Sequence, residues 1–183
     1  MLNAPSPEMR RLVGRADELR LAFDRSFAEV QRVGAIPHDD LLGVRLGADP
    51  YAIRLSEIAG LVADKPVTRL PSRVPWLIGL AGFRGAILPV FDLALLLGYS
   101  AAAGSRWLVI AAREPVALAF DTFDGHLRLS RDAIAPADSD RGRRTEVRDM
   151  ARVAGGVRAI LHIPSILDTI KTQQPQPTVW KER

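Results

Sequence analysis

The residues able to do chemistry in this chain are few and scattered. Three histidines stand at positions 38, 126 and 162. His38 heads the triplet His38-Asp39-Asp40, but neighbouring side chains point in different directions, and no second cluster is visible that would complete a metal site. His162 lies inside AILHIPSIL, where an imidazole on a core or strand face is a simpler reading than a ligand. Ser56, Ser72 and Ser165 lack the elbow sequence that exposes a nucleophile. Asp92, Asp121 and Asp124 would need a cleft and opposed environments to act as acid and base, and Asp92, directly after a strand-like run, reads as a helix cap. The chain has no cysteine, which removes disulfides, thiolate metal sites and a cysteine nucleophile. No enzyme, cofactor or metal is expected.

One stretch does ask for a partner. In GLAGFRGAILPVFDL, residues 79 to 93, glycines at 79, 82 and 85 are spaced by three and Arg84 stands alone among apolar residues. A dinucleotide fingerprint needs Gly-x-Gly-x-x-Gly between a strand and a helix, and a phosphate loop needs Gly-Lys at its end; this stretch has neither and leads into a strand. Gly82 to Gly85 also fits the Gly-x-x-Gly of a KH module, which clamps a nucleic-acid backbone from a helical context. A basic nucleic-acid-binding module using that loop is the alternative to a protein-docking surface. The net charge of +4 is spread among 21 acidic residues, and the one local concentration, DSDRGRRTEVRD at 138 to 149, mixes arginines with acids as a solvated loop does.

These residues must be held by elements that the periodicity outlines. Met9, Leu12, Ala16, Leu19, Phe23, Phe27 and Val30 recur at helical spacing, with Ser6-Pro7-Glu8 as a start and Gly34 as a stop, so an amphipathic helix is expected over 7 to 33. From Leu42 the period becomes two. Leu42, Val44 and Leu46 share one face, Gly-Ala-Asp-Pro turns the chain, and Tyr51, Ile53 and Leu55 share a face again, which is a hairpin. RWLVIAAREPVALAF repeats the plan 65 residues later, pairing Pro50 with Pro115, Ile58 with Phe123 and Gly60 with Gly125. AILPV at 86 to 90 echoes AILHI at 159 to 163 at an offset of 73, which assigns an inserted loop to the Arg-rich stretch. DLALLLG at 92 to 98 and PSILDTI at 164 to 170 are expected short helical pieces.

Two similar all-β halves follow, with short strands that favour small closed or nearly closed barrels. The expected organisation is a helical extension over 1–38, a two-barrel domain over 39–171 and a loose, proline-rich tail over 172–183. The charged N-terminus carries no signal-peptide core and no run approaches a membrane span, so a cytoplasmic protein with no membrane insertion is expected.

The run YAIRLSEIAGLVADKPVTRLPSRVPWLIGLAGFRGAILPVFDLALLLG resembles the CheW family of chemotaxis coupling proteins. Tyr51, Ile53, Pro75, Gly79, Arg84, Gly85, Ile87, Pro89, Val90, Asp92 and Leu93 fall in order on its pattern, and the similarity runs on to VRAILHIPSIL. The resemblance implies two five-stranded Src-homology-3-like barrels around an apolar seam. It also implies a scaffold that bridges the cytoplasmic tips of methyl-accepting chemoreceptors to the regulatory domain of a CheA-type histidine kinase, with CheW-like proteins joining in rings. It places the receptor and kinase contact at Arg84, Gly85, Ile58, Gly60, Leu61 and Phe83, with Ile58 and Leu61 as groove walls. Three features depart from the family pattern: Gly60 stands where glutamate is usual, Gly82-Phe83 replaces Asn-Leu, and the expected N-terminal helix precedes the first strand, close to which many relatives begin.

Overall fold

Alternation along the first strands sets the architecture. A computed structural model describes residues 37–100, 104–137 and 145–173. Strands β1 (His38–Leu46) and β2 (Asp49–Arg54) form the expected hairpin across Gly47-Ala48, with Gly47 at a φ of 61°. Leu42, Val44, Leu46, Tyr51 and Ile53 all enter one buried cluster, while Leu41 and Ala52 enter another on the opposite face. Leu55 leaves the pattern. The chain enters a 3-10 turn at Leu55–Glu57, which ends the period of two and leaves Leu55 38% exposed.

That turn carries the chain into a different sheet. The next strands are β3 (Ile58–Ala63), β4 (Thr68–Arg69), β5 (Leu77–Phe83) and β6 (Ala86–Asp92), followed by the short helix α1 (Leu93–Leu96). Then come β7 (Trp107–Ala111), β8 (Ala117–Phe120), β9 (Thr122–Ser130), β10 (Ile134–Pro136), β11 (Val147–Val153), β12 (Gly156–Leu161) and helix α2 (Ile163–Gln173). One sheet has the order β10-β11-β12-β2-β1-β9 and the other β4-β5-β6-β8-β7-β3. In each sheet the two edge strands are consecutive in the chain, β9 with β10 and β3 with β4. Their short connections make each sheet roll toward closure.

The fold is mainly β with two barrels, as the sequence predicts, and each sheet has six strands rather than five. The additional strands, Thr68–Arg69 and Ile134–Pro136, are too short to show a period of two. The barrels also do not coincide with the sequence repeats. Hairpin β1–β2 of the first repeat pairs with β9 and β12 of the second, and β7–β8 of the second pairs with β3 and β6 of the first. The joints are the parallel pairs β2–β12 and β6–β8. Because each barrel borrows its central hairpin, neither repeat can complete a barrel alone.

Packing follows the pleat. Ala81, Leu88, Val90, Leu108 and Ile110 fill one barrel, and Leu41, Ala52, Ala151 and Ile160 fill the other. The opposite strand faces meet in the largest cluster, where Phe91, Leu118 and Phe120 of one sheet join Val44, Ile53 and Leu161 of the other under Leu93, Ile163, Ile166 and Ile170. This is the apolar seam. Trp107 and Phe123 tie the sheets again, with ring centroids 5.1 Å apart.

The second repeat register needs correction. Turn residues Phe83 and Ala86 correspond to Val153 and Gly156, and Asp92 before α1 corresponds to His162 before α2, an offset of 70 rather than 73. The AILPV/AILHI likeness is a coincidence of apolar strand ends, and the inserted loop is correspondingly shorter. The structural register gives His162 a task. Asp92 accepts the Leu95 backbone N–H at 3.0 Å, capping α1, and His162 Nδ1 accepts the Ser165 N–H at 3.2 Å in the same place on α2. The backbone N–H groups of Asp92 and His162 donate to the carbonyls of Trp76 and Glu146, each at 2.7 Å.

A pH dependence follows from that cap. Burial lowers the His162 pKa from its ordinary value, Arg148 and Arg54 add to the fall, and Glu57 opposes it. Only neutral imidazole can accept through Nδ1. The folded state therefore binds this proton less readily than the unfolded chain. The stability from the neutral cap is present above about pH 6.5 and drains away as pH falls through the lower folded value. His162→Asp keeps a capping acceptor and should flatten urea-unfolding stability between pH 7 and 5, whereas His162→Ala should cost about 1 kcal/mol at pH 7.

Helix α2 begins at Ile163 and runs through Gln173, past the expected end of the domain; along it Lys171 pairs with Glu114 and Thr169 bonds Glu146 at 3.0 Å. The expected helix over 7 to 33, the tail beyond 173 and most of the Arg-rich loop lie outside the described residues. Among the described residues no helix is long and apolar enough to cross a membrane.

Candidate functional site

The Gly82 to Gly85 stretch is strand, turn and strand. Phe83 pairs with Ala86 across a two-residue turn in which Arg84 has a φ of 48° and Gly85 a φ of 83°. Both central φ values are positive, as in the tight hairpin turn that follows strand twist. Glycine meets this requirement freely at position 85, but arginine in the left-handed region costs roughly 1–2 kcal/mol. A residue held there at that cost invites a functional explanation.

Around the turn the structure brings four of the six expected site residues together. Gly60, in edge strand β3, lies under the ring of Phe83; a Cβ at position 60 would stand 3.2 Å from Phe83 Cζ. Phe83 also packs on the barrel cluster that contains Leu88 and Leu108. The Arg84 guanidinium carbon sits 5.0 Å from the centroid of the Phe83 ring, a cation–π arrangement. Arg84 and Gly85 are exposed, and among the described residues no carboxylate pairs with Arg84. The other two, Ile58 and Leu61, turn to the opposite side. They are half-buried against the seam, paired along the backbone with Ala111 and Val109 of β7.

Ile87, part of the sequence pattern but not of the expected contact set, is a further exposed residue next to the turn. Ile87 stands opposite Gly82 on the outer face of the β5–β6 hairpin and is 73% exposed. The alternation of AILPVF, with Leu88 and Val90 inward, already points Ile87 outward. Val157, its counterpart on the β11–β12 hairpin, is 54% exposed.

The isolated polar residues have structural employment. Asp39 accepts from Arg54 and Arg131, Asp40 bonds His126 Nε2 at 2.9 Å, and Asp124 is shared by Arg45 and Arg158. Glu57 accepts the Ile163 N–H at 2.7 Å, capping α2 from across the seam. Among the described residues no group of three ligating side chains converges on a metal-sized space. Burial, reinforced by the negative charge of Asp92, raises the Asp121 pKa above its ordinary value. A cavity of about 540 Å³ opens among Lys65, Arg69, Leu77, Asp92 and Leu108, away from Arg84.

Residues 40–171 match the family model described as the CheW-like domain. The chain is 28% identical over 101 residues to a probable chemotaxis protein CheW of Rhizobium etli, and 27% identical over 101 residues to a chemotaxis protein CheW of Rhizobium meliloti. Each match takes in 53% of this chain and 65% of the relative, so the aligned part falls just short of two thirds of their length. The fold is similar to the crystal structure of the scaffolding protein TtCheW from Thermoanaerobacter tengcongensis, with a TM-score of 0.62 at 19% identity. That likeness covers 69% of this chain and 90% of the other.

Proposed function

The chain belongs to the CheW-like domain family, and we propose that it is a non-enzymatic adaptor of a chemosensory two-component pathway. In this reading it acts in the cytoplasm and is recruited to membrane receptor arrays. It joins the cytoplasmic tip of a methyl-accepting chemoreceptor to the regulatory domain of a CheA-type histidine kinase and meets other CheW-like proteins in rings. The observation that carries this reading to a site is Arg84: an exposed guanidinium, stacked on Phe83 and without a carboxylate of its own among the described residues. Five donors in a rigid fork on a ring surface suit an interface anchor. Ile58 and Leu61, half-buried at the edge of the seam, supply apolar walls that a helical hairpin could lie against.

The experiment is a pair of titrations, with a receptor tip and with a kinase regulatory domain encoded beside this chain. Binding with dissociation constants of tens of micromolar or tighter, about 6 kcal/mol or more, is expected for each. No binding to either sinks the proposal. A single-stranded oligonucleotide that binds instead, with affinity falling steeply as salt rises, would assign the Gly82 to Gly85 turn to nucleic acid.

A further inference from the structure

Two contacts and the turn's backbone conformation place the Arg84 guanidinium, and the contacts run through residues that do not themselves need to touch a partner. Gly60 leaves bare backbone beside the Phe83 ring, and a Cβ at 60 would stand 3.2 Å from Phe83 Cζ, so that the ring would have to shift by a few tenths of an ångström. The ring in turn lies 5.0 Å from the guanidinium carbon of Arg84. The paired positive φ angles of the turn fix where the Arg84 side chain leaves the backbone. One face of the cation is thereby covered by an aromatic surface and its in-plane donors are left open.

Charge completes the picture. Arg45, Arg54, Arg106, Arg131 and Arg158 each hold a carboxylate partner; Arg84 is one of seven described arginines that do not, and of those seven it is the one stacked on an aromatic ring. The sequence from Val67 to Phe91 contains no acidic residue. No carboxylate among the described residues occupies the Arg84 donors, which leaves them open to an acceptor from another molecule.

We infer that Gly60 and Phe83 are positioning residues that set Arg84 as a reader of carboxylates, so the docking segment this site fits is one that presents an aspartate or glutamate side chain to it. The inference rests on the adaptor reading for the identity of the partner but not for the positioning itself. A neutral or basic segment would leave the guanidinium desolvated on one face and unpaired. A carboxylate meets it with two parallel hydrogen bonds. On this inference a carboxylate built into position 60, beside the Phe83 ring on which Arg84 stacks, is expected to draw Arg84 within the chain and compete with the partner.

The test has two arms. In the first, the side-chain Nε–H resonances of the free, 15N-labelled full chain are compared among variants. The Arg84 resonance is expected to be displaced by the Phe83 ring current from those of Arg73 and Arg113. Phe83→Leu should return it to their position and Phe83→Tyr should keep the displacement. An Arg84 resonance already among the others in the unaltered protein overturns the inference, whatever the binding data show. In the second arm a receptor tip is titrated at low and moderate salt. Phe83→Leu should weaken binding about fivefold with the unfolding temperature nearly unchanged, and Phe83→Tyr should restore it. Gly60→Glu should bind about fivefold more weakly than the equally bulky Gly60→Gln, and the gap should close when Arg84 is also replaced by alanine. Equal binding by the Glu and Gln variants overturns the carboxylate assignment. Failure of the unaltered chain to bind any receptor tip overturns the adaptor reading and the partner assignment with it, while the resonance comparison still decides the positioning.

Discussion

Gly79→Ala is expected to lower the unfolding midpoint by about 10 °C, a loss of about 3 kcal/mol or more in a domain of this size. A Cβ at position 79 would lie 2.0 Å from the Thr68 carbonyl oxygen and 2.9 Å from Arg69 Cα. Both neighbours are backbone, so no rotamer change can relieve the overlap. Strand β4 must leave β5, breaking the pairs Thr68–Leu80 and Arg69–Gly79 and uncovering one edge of the barrel. Gly82 supplies the internal control. It belongs to the same glycine series, but nothing lies within 4 Å of where its Cβ would stand, so Gly82→Ala should change stability by no more than about 0.5 kcal/mol. Thermal unfolding of the two variants side by side checks the assignment. Equal midpoints would show that β4 is not held against β5 as described.

Arg84→Glu is expected to weaken receptor-tip binding about 100-fold while shifting stability by no more than about 0.5 kcal/mol. The guanidinium is exposed and makes no ion pair among the described residues, and a glutamate at 84 inherits the same φ of 48°, so the fold loses little beyond one cation–π contact. The partner loses its cation and meets a like charge, and repulsion at an interface adds to the lost pairing. Calorimetric titration with the unaltered and altered chains, each checked by thermal unfolding, gives the result. A variant that fails to fold would make Arg84 a structural residue, and one that binds normally would move the contact elsewhere.

Much of the fold was legible because its signals are local. The alternation of Leu42, Val44 and Leu46 against Tyr51 and Ile53 is set by the pleat of a single hairpin, and the structure keeps it in one cluster. The repeat at 65 pairs Ile58 with Phe123 and Gly60 with Gly125, and β3 and β9 occupy equivalent sheet edges. The exchange of hairpins was not legible. Every strand would show the same alternation whether β2 paired with its own repeat or with the other, so pairing partners leave no trace in the period. The offset of 73 failed for a related reason: apolar residues at strand ends resemble one another, while the marks that fix the register are the turn at Arg84-Gly85 and the caps at Asp92 and His162.

The candidate site was legible in part. A glycine-flanked arginine in an apolar run suits a turn, and Arg84 lies in the two-residue turn between β5 and β6. The contact of Gly60 with Phe83 joins β3 to β5, strands at separate places in the sheet order, and only the rolling of the sheet brings them together. Gly60 and Phe83, which stand apart in the sequence, are thus one structural feature, with the ring of one lying against the place where the other has no side chain. Ile58 and Leu61 differ from Arg84 in being half-buried against the seam.

The measurement that tests the adaptor account most directly is simultaneous binding. A receptor tip immobilised on a sensor surface would be saturated with this chain, and the kinase regulatory domain then passed over it. The account predicts that the kinase domain is retained only when the chain is present and that Arg84→Glu releases both. Displacement of the chain from the receptor tip by the kinase domain, or retention of the kinase domain to the same extent without the chain, would contradict it.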